Sequence, residues 1–294
     1  MSEHRILLIE NPARLLVDLG RVRIQREGHQ DVFVLPADIA VLLLHHHAIE
    51  ITSQVLRVLT DSRSIVLVTD DKHHPSGWLT PLYGLPQISL RLYQQMNLAP
   101  EMRARIWQAI VRARIRTEAA NLRYFNLNGA LRLERLAGEV EPGDRSRAEG
   151  QAAKHYWDCL FGVEFKRDKR GAEDPINAAL NYGYAVLRAL VARELAVASL
   201  MPMLGIGHMS RENPFNLADD FMEPYRYVVE RRVRQHLIQL GEFDTQSRLL
   251  MLGIIKETVR LGAMEFRLPP AVRESVASYG RILDSDSGGL VLPS

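Results

Sequence analysis

The sequence predicts an α+β chain, with a small N-terminal β-rich domain over residues 1–85, a larger all-α domain over 86–283 and a flexible tail over 284–294. Three observations carry this. Up to about residue 83, short β-branched or alternating runs are punctuated by Gly, Asn and Pro. Beyond about residue 85, the apolar residues follow the periodicity of helices. Hydrophobic residues make up 47% of the 294, enough for a real core.

Taken in order, strands are expected near Arg5–Ile9, Leu15–Val17, Arg21–Gln25, Asp31–Leu35 and Ile39–Leu44. Ser53 can cap a short helix through Leu59, Ser64–Thr69 reads as another buried strand, and His73–Gly77 as a turn. The helical half is expected at 87–96, 101–123, 127–137, 147–162, 174–203, 216–240, 244–262 and 269–283. The helix from 174 has the clearest start, because Asp174 can cap it and Pro175 fits a first turn. Pro224 must kink or restart the helix that crosses it. The polar, Gly-containing end is expected to be mobile.

Composition narrows the function. A net charge of +2 does not indicate nucleic-acid binding, so any basic surface must come from local clustering. The single cysteine, Cys159, excludes an internal disulfide and a Cys-rich zinc site. No apolar run has membrane-spanning length and the N-terminus lacks a signal-peptide layout, so a cytoplasmic protein without membrane contact is expected. Gly205 and Gly207 do not satisfy a GxGxxG or P-loop pattern, and no GxSxG elbow occurs.

The segment GIGHMSRENPFNLADDFMEPYR, residues 205–226, concentrates the chemistry. His208 precedes Asp219, Asp220 and Glu223, and on a helix Asp220 and Glu223 share one face. A DxxE pair alone reads as a solvated helix face, and a lone histidine as a hydrogen-bonded structural residue. Three acids this close repel one another and call for a cation or a basic partner. Glu149, far upstream, has Ala152, Ala153 and Tyr156 as neighbours; the bland alternative is an exposed acid paired with Lys154 or Arg145.

Arg105, Arg112, Arg116 and Arg123 recur along one helix face, with Arg103 and Arg114 on the opposite side. Such a stripe suits solvent or a phosphate backbone, and Arg231, Arg232 and Arg234 follow directly after the acidic segment. His45–His47 resembles a chelator, but adjacent side chains on an extended segment point to opposite faces.

DPINAALNYGYAVL (174–187), GIGH (205–208) and NPFNLADDFMEPYR (213–226), read together, resemble the CRISPR-associated protein 1 family. Tyr156-Trp157, Phe165, Arg167, IVRARIRTEAANL (110–122), the ILLIENPARL start and the helix near Ile51–Leu59 fit the same pattern. The compact N-terminal half is most similar to members encoded beside type II effector nucleases. The resemblance implies a metal-dependent DNA integrase and endonuclease of spacer acquisition, whose all-α part is catalytic and whose β-rich part dimerises. It implies Glu149, His208 and Glu223 as ligands of Mg²⁺ or Mn²⁺, with Asp220 close to the metal or helping to hold it. Arg112, Arg116, Arg123, Arg231 and Arg234 would position DNA phosphates. The implied partners are double-stranded DNA, as fragment and as repeat, a second copy in a homodimer, and the dimer of the small CRISPR-associated protein 2. Tyr227, Glu230, Thr117 and Glu118 depart from the family's usual residues. The alternative is a non-catalytic DNA-binding scaffold in which the acids are structural. A phosphohydrolase of small substrates is disfavoured, since a phosphate-binding loop is lacking.

Overall fold

The computed structural model describes residues 5–69, 75–79, 87–169, 174–236, 242–285 and 287–294. It forms two compact units, Met1–Pro86 and Gln87–Ser294.

The first unit runs β1 (Arg5–Ile9), β2 (Ala13–Asp18), β3 (Arg21–Gln25), β4 (Val32–Val34), β5 (Ile39–Leu44), β6 (Ile49–Ile51), α1 (Ser53–Asp61), β7 (Ile65–Thr69) and β8 (Pro75–Leu79). One sheet has the order β1-β5-β7-β8, with β5 parallel to both neighbours; the other is β4-β3-β2-β6. Strand β5 reads as an unbroken apolar run because it is central and parallel, so both faces are covered. Strand β3 alternates because only one face turns inward. Leu15, Val22, Ile39, Leu42, Val55 and Leu59 pack into one core between these elements.

Three expectations change here. Thr52, not Ser53, caps α1, its hydroxyl accepting from Val55 N at 3.4 Å. The turn expected at 73–77 gives way to β8 from Pro75 onward, while 73 and 74 lie outside the described residues. The histidines follow the end of β5, so strand alternation does not apply to them: the rings of His46 and His47 stack with centroids 4.4 Å apart.

The second unit is helical, with α2 (Ile88–Met96), α3 (Pro100–Tyr124), α4 (Ala130–Glu139), α5 (Ala148–Phe161), α6 (Pro175–Val197), α7 (Asn216–Met222), α8 (Arg226–His236), α9 (Thr245–Leu252) and α10 (Leu268–Ser285). Asp174 caps α6 by accepting from Asn177 N at 2.8 Å. Pro224 restarts the chain: α7 ends at Met222, one 3-10 turn covers Glu223–Tyr225, and α8 follows. The end of the helix expected over 216–240 lies outside the described residues. Helices α3, α4 and α5 share a core around Ile115, Leu122, Leu133, Ala152 and Tyr156.

Two corrections apply to the C-terminal part. The helix expected over 244–262 stops at Leu252, and a hairpin of β9 (Thr258–Leu261) and β10 (Met264–Arg267) follows. Thr258 and Val259 favour extended backbone, and Gly262 takes the positive φ of +60° at the turn. Residues 284–294 were expected as a mobile tail. Asp284 and Ser285 instead end α10, and the chain beyond is tied back: Val291 N donates to Ser278 Oγ at 3.0 Å, and Pro293 bridges to Leu261. The Ser278 hydroxyl on α10 supplies one anchor and the backbone of β9 the other. Among the described residues, no helix is long and apolar enough to cross a membrane.

Candidate active site

Four segments of the helical unit meet here: the middle of α3, the start of α5, the 205–208 loop, and the junction between α7 and α8. Asp144 fixes the start of α5, its carboxylate accepting from Ala148 N at 2.8 Å and Glu149 N at 3.2 Å. Glu149 therefore sits in the first turn, where a helix N-terminus favours negative charge. Its partner is Arg114 of α3, rather than Lys154 or Arg145.

Arg114 is the central group. Its side chain is 7% exposed, and its Nη1 pairs with both Glu149 Oε1 and Glu223 Oε2, the latter at 2.8 Å. Its Nε donates to Glu118 Oε1 at 3.1 Å, one helical turn along α3. The second oxygen, Glu118 Oε2, is buried with no hydrogen-bond partner. Burial pushes the Glu118 carboxyl up to about 7, against the pull of Arg114. At Glu223, burial pushes upward too, but Arg114, Arg226 and His208 outweigh it and hold the carboxyl below its ordinary value. Glu223 is therefore an anion stabilised by a ring of positive groups, and the solvated-face reading of the DxxE pair does not apply. Asp219, Asp220 and Glu223 are all buried.

The 205–208 loop is shaped by close approaches. A Cβ on Gly207 would fall 2.4 Å from the Trp107 ring, and one on Gly205 would fall 2.0 Å from His208 O. Glycine at both positions is thus a packing requirement, with no phosphate cradle involved. Trp107 meets the His208 ring edge-on, centroids 5.6 Å apart, and Arg103 Nη1 donates to Gly205 O at 2.7 Å.

Asp220 clamps this loop from α7. It accepts from the backbone N–H of Ile206, from Gly207 N at 3.1 Å, from His208 N at 2.9 Å and from His208 Nδ1 at 2.8 Å. The bond from Nδ1 to Asp220 raises the His208 pKa despite partial burial, and Nε2 is the ring nitrogen that Asp220 does not engage. Four donors converge on one fully buried carboxylate, so Asp220→Asn is expected to be nearly as harmful as Asp220→Ala. The amide must turn its own NH₂ toward two of those donors. Either change should cost about 2–3 kcal/mol, read as a lowered thermal midpoint, together with a loss of activity.

A buried polar network extends behind Glu223. Arg226 Nη1 donates to Glu223 Oε1 at 3.0 Å, and its guanidinium lies 4.4 Å from the Tyr184 ring centroid. Glu230 accepts from Tyr184 OH at 2.6 Å and Tyr156 OH at 2.7 Å, and Tyr156 OH accepts from Asn121 Nδ2 at 2.6 Å. Arg114, Arg226, Tyr184 and Trp107 drew no assignment from the sequence. A signal for Arg114 was present, since it lies three and four residues after Val111 and Ile110 on the buried side of α3.

The structure brings Glu149 and Glu223 onto one cationic nitrogen and places His208 beside Asp220. Among the described residues, no three His, Cys, Asp or Glu side chains form a ready metal cluster. The donor set still fits a divalent cation. Two carboxylates and one imidazole suit Mg²⁺ or Mn²⁺, positive charge already sits between the acids, and the carboxylate on Nδ1 is the arrangement that orients a ligating histidine.

The five arginines expected at phosphates lie in different settings. Arg116 is exposed, and Arg123 is exposed and paired with Glu134. Arg112 is half-buried and donates to Val140 O at 2.9 Å. Arg231 lies over the Tyr124 and Tyr227 rings and donates to Asn121 Oδ1 at 2.9 Å. Arg234 lies over Phe125 and bonds Leu160 O.

Comparison with known proteins finds relatives that cover most of the chain. A family model described as CRISPR associated protein Cas1 matches residues 6–253. The CRISPR-associated endonuclease Cas1 of Neisseria meningitidis serogroup C is 34% identical over 98% of this chain and 95% of its own. Among solved structures, a casposase bound to its integration product superposes with a TM-score of 0.80 at 19% identity, over 97% of this chain and 92% of that one. A chain of a Cas6-RT-Cas1–Cas2 complex superposes with a TM-score of 0.75 at 17% identity, over 98% of this chain and 36% of the longer neighbour.

Proposed function

The chain belongs to the Cas1 family of CRISPR-associated proteins, and we propose that it is the metal-dependent endonuclease and integrase of CRISPR adaptation, joining the 3′-hydroxyl ends of captured DNA fragments into the repeat array. The reaction is a transesterification: a 3′-oxygen attacks a backbone phosphorus, one phosphodiester forms as another breaks, and the released 3′-oxygen takes a proton. With water as the attacking group, the same centre cleaves. No nucleotide cofactor is needed, since the number of phosphodiester bonds is conserved.

The observation that carries this reading is the convergence of Glu149 and Glu223, from separate elements, on a single cationic nitrogen. Glu149, Glu223 and His208 Nε2 would hold Mg²⁺ or Mn²⁺. When bound, the ion supplies Lewis-acid stabilisation of the negative charge that builds on the phosphoryl oxygens. The protein's own contribution is positional. Asp220 and Trp107 fix the His208 ring, and Arg226 steadies Glu223. Arg116, exposed on α3, suits a duplex phosphate, and Arg123, Arg231 and Arg234 would take one by exchanging their present partners Glu134, Asn121 and Leu160 O. Arg231 also lines an open cleft with Tyr227, Arg260 and Ser294, a setting for a backbone phosphate. The likeness to a chain of a Cas6-RT-Cas1–Cas2 complex supports Cas2 as a partner; the Cas2 dimer, and a homodimer through the β-rich unit, are part of the same proposal and rest on the family resemblance alone. A repeat-DNA substrate suits a cytoplasmic location.

His208→Ala is expected to abolish joining of a short duplex into a supercoiled repeat plasmid with Mn²⁺ and the Cas2 partner. Fold and DNA retention should persist. Unimpaired joining would remove His208 from the centre. Joining that persists in excess chelator would favour a metal-independent role.

A further inference from the structure

Arg114 marks the place where the two acids converge, yet it has been given no chemical role of its own. Nη1 bonds the two carboxylate oxygens that belong to the ligand set, Glu149 Oε1 and Glu223 Oε2. Without it, two carboxylates would face each other in a largely buried setting, which costs more than either alone. A dication between the same oxygens would meet a guanidinium charge already seated there. The two cations therefore compete for one place.

The helix supplies a second place for the guanidinium. Glu118 stands four residues along α3, its Oε1 already bonded by Arg114 Nε. Its other oxygen, Oε2, is buried and bonds nothing. A turn of the guanidinium that swings Nη1 away from Glu149 and Glu223 lets the Nε edge of the fork take both Glu118 oxygens, the paired geometry that suits Arg and carboxylate. Arg114 thus has two arrangements available. In one it bridges Glu149 and Glu223; in the other it lies side-on to Glu118 and leaves them open.

We infer that Arg114 is a positioning residue, a resident cation that holds Glu149 and Glu223 together in the metal-free protein and yields its place to the divalent ion by passing to Glu118. The inference rests on the metal-site reading above. It makes metal uptake an exchange of cations within a preformed frame, so the frame stays closed until the ion arrives. It also gives Glu118 a purpose that its buried, half-bonded state otherwise lacks.

Direct Mn²⁺ titration of the purified full chain, following free Mn²⁺ by electron paramagnetic resonance, tests this without any activity assay. Arg114→Gln removes the competitor and should bind Mn²⁺ about tenfold more tightly than wild type. Its thermal midpoint should be lower without metal and rise further on adding Mn²⁺. Affinity equal to or weaker than wild type in folded Arg114→Gln would overturn the inference. Glu118→Gln keeps the bridge but weakens the alternative seat, and should bind Mn²⁺ about tenfold more weakly. Should Arg114→Gln fail to fold, Glu118→Gln decides alone, and unchanged affinity there overturns the inference. Failure of the metal site itself looks different: wild type would bind no Mn²⁺, or His208→Ala would bind as wild type does.

Discussion

Glu223→Gln is expected to lower both joining and cleavage by roughly a thousandfold, the equivalent of about 4 kcal/mol of transition-state stabilisation. The loss should fall on the chemical step, because the substitution is nearly isosteric and removes only charge. Fold should survive for a specific reason. Arg114 keeps Glu118 and Glu149 as partners, and Arg226 keeps Glu230, so no buried guanidinium is stranded. Circular dichroism and thermal melting should therefore match wild type within a few degrees, and fragment binding by gel shift should persist. A Glu223→Gln protein that still joins DNA at the wild-type rate would exclude this carboxylate from the chemistry and return the acidic segment to a structural role. A protein that loses joining only because it unfolds would show it in the melt.

Glu230→Ala carries the largest expected effect on stability. The carboxylate is 1% exposed and accepts from Tyr156 and Tyr184, with Arg226 Nε 3.8 Å away. Truncation strands two buried hydroxyls, removes a charge partner of Arg226 and leaves a hole. Together these should cost about 3–5 kcal/mol. In a unit of this size, that is a drop of about 10 °C in the midpoint. Glu230→Gln keeps one acceptor and should cost about 1–2 kcal/mol. Equal melts for the two variants would show that volume, and not the hydrogen bonds, matters at this position. Activity should fall along with stability in the Ala variant, since Arg226 links Glu230 to Glu223. The departure at Glu230 from the family's usual residue thus lies in a buried support and not on a DNA-facing surface.

Much of this protein is fixed by local sequence. The apolar run of β5, the alternation of β3, the Asp174-Pro175 start of α6 and the break at Pro224 each follow from backbone preferences and periodicity, which act over a few residues. Failures at this level are also local. Strand β9 was hidden inside the helix expected over 244–262, and β10 fell between that helix and the next, because each strand is only four residues long and only the β-branched Thr258-Val259 pair and Gly262 spoke for the hairpin. The candidate acids were legible as a motif, and the glycines of the loop as residues worth noting.

What became of these groups could be settled only by packing. Spacing along one chain cannot say that Glu149 meets Glu223, because α5 and the α7–α8 junction are joined by more than sixty residues of intervening chain. Nor can it show that Arg114, read as the off-stripe side of a basic helix, is the charge both acids share. The reason is physical. A carboxylate keeps its charge in the interior only when opposite charges close around it, and those partners come from whatever elements the core brings alongside. Periodicity tells which face of α3 turns inward; the three-dimensional arrangement alone decides what that face finds there.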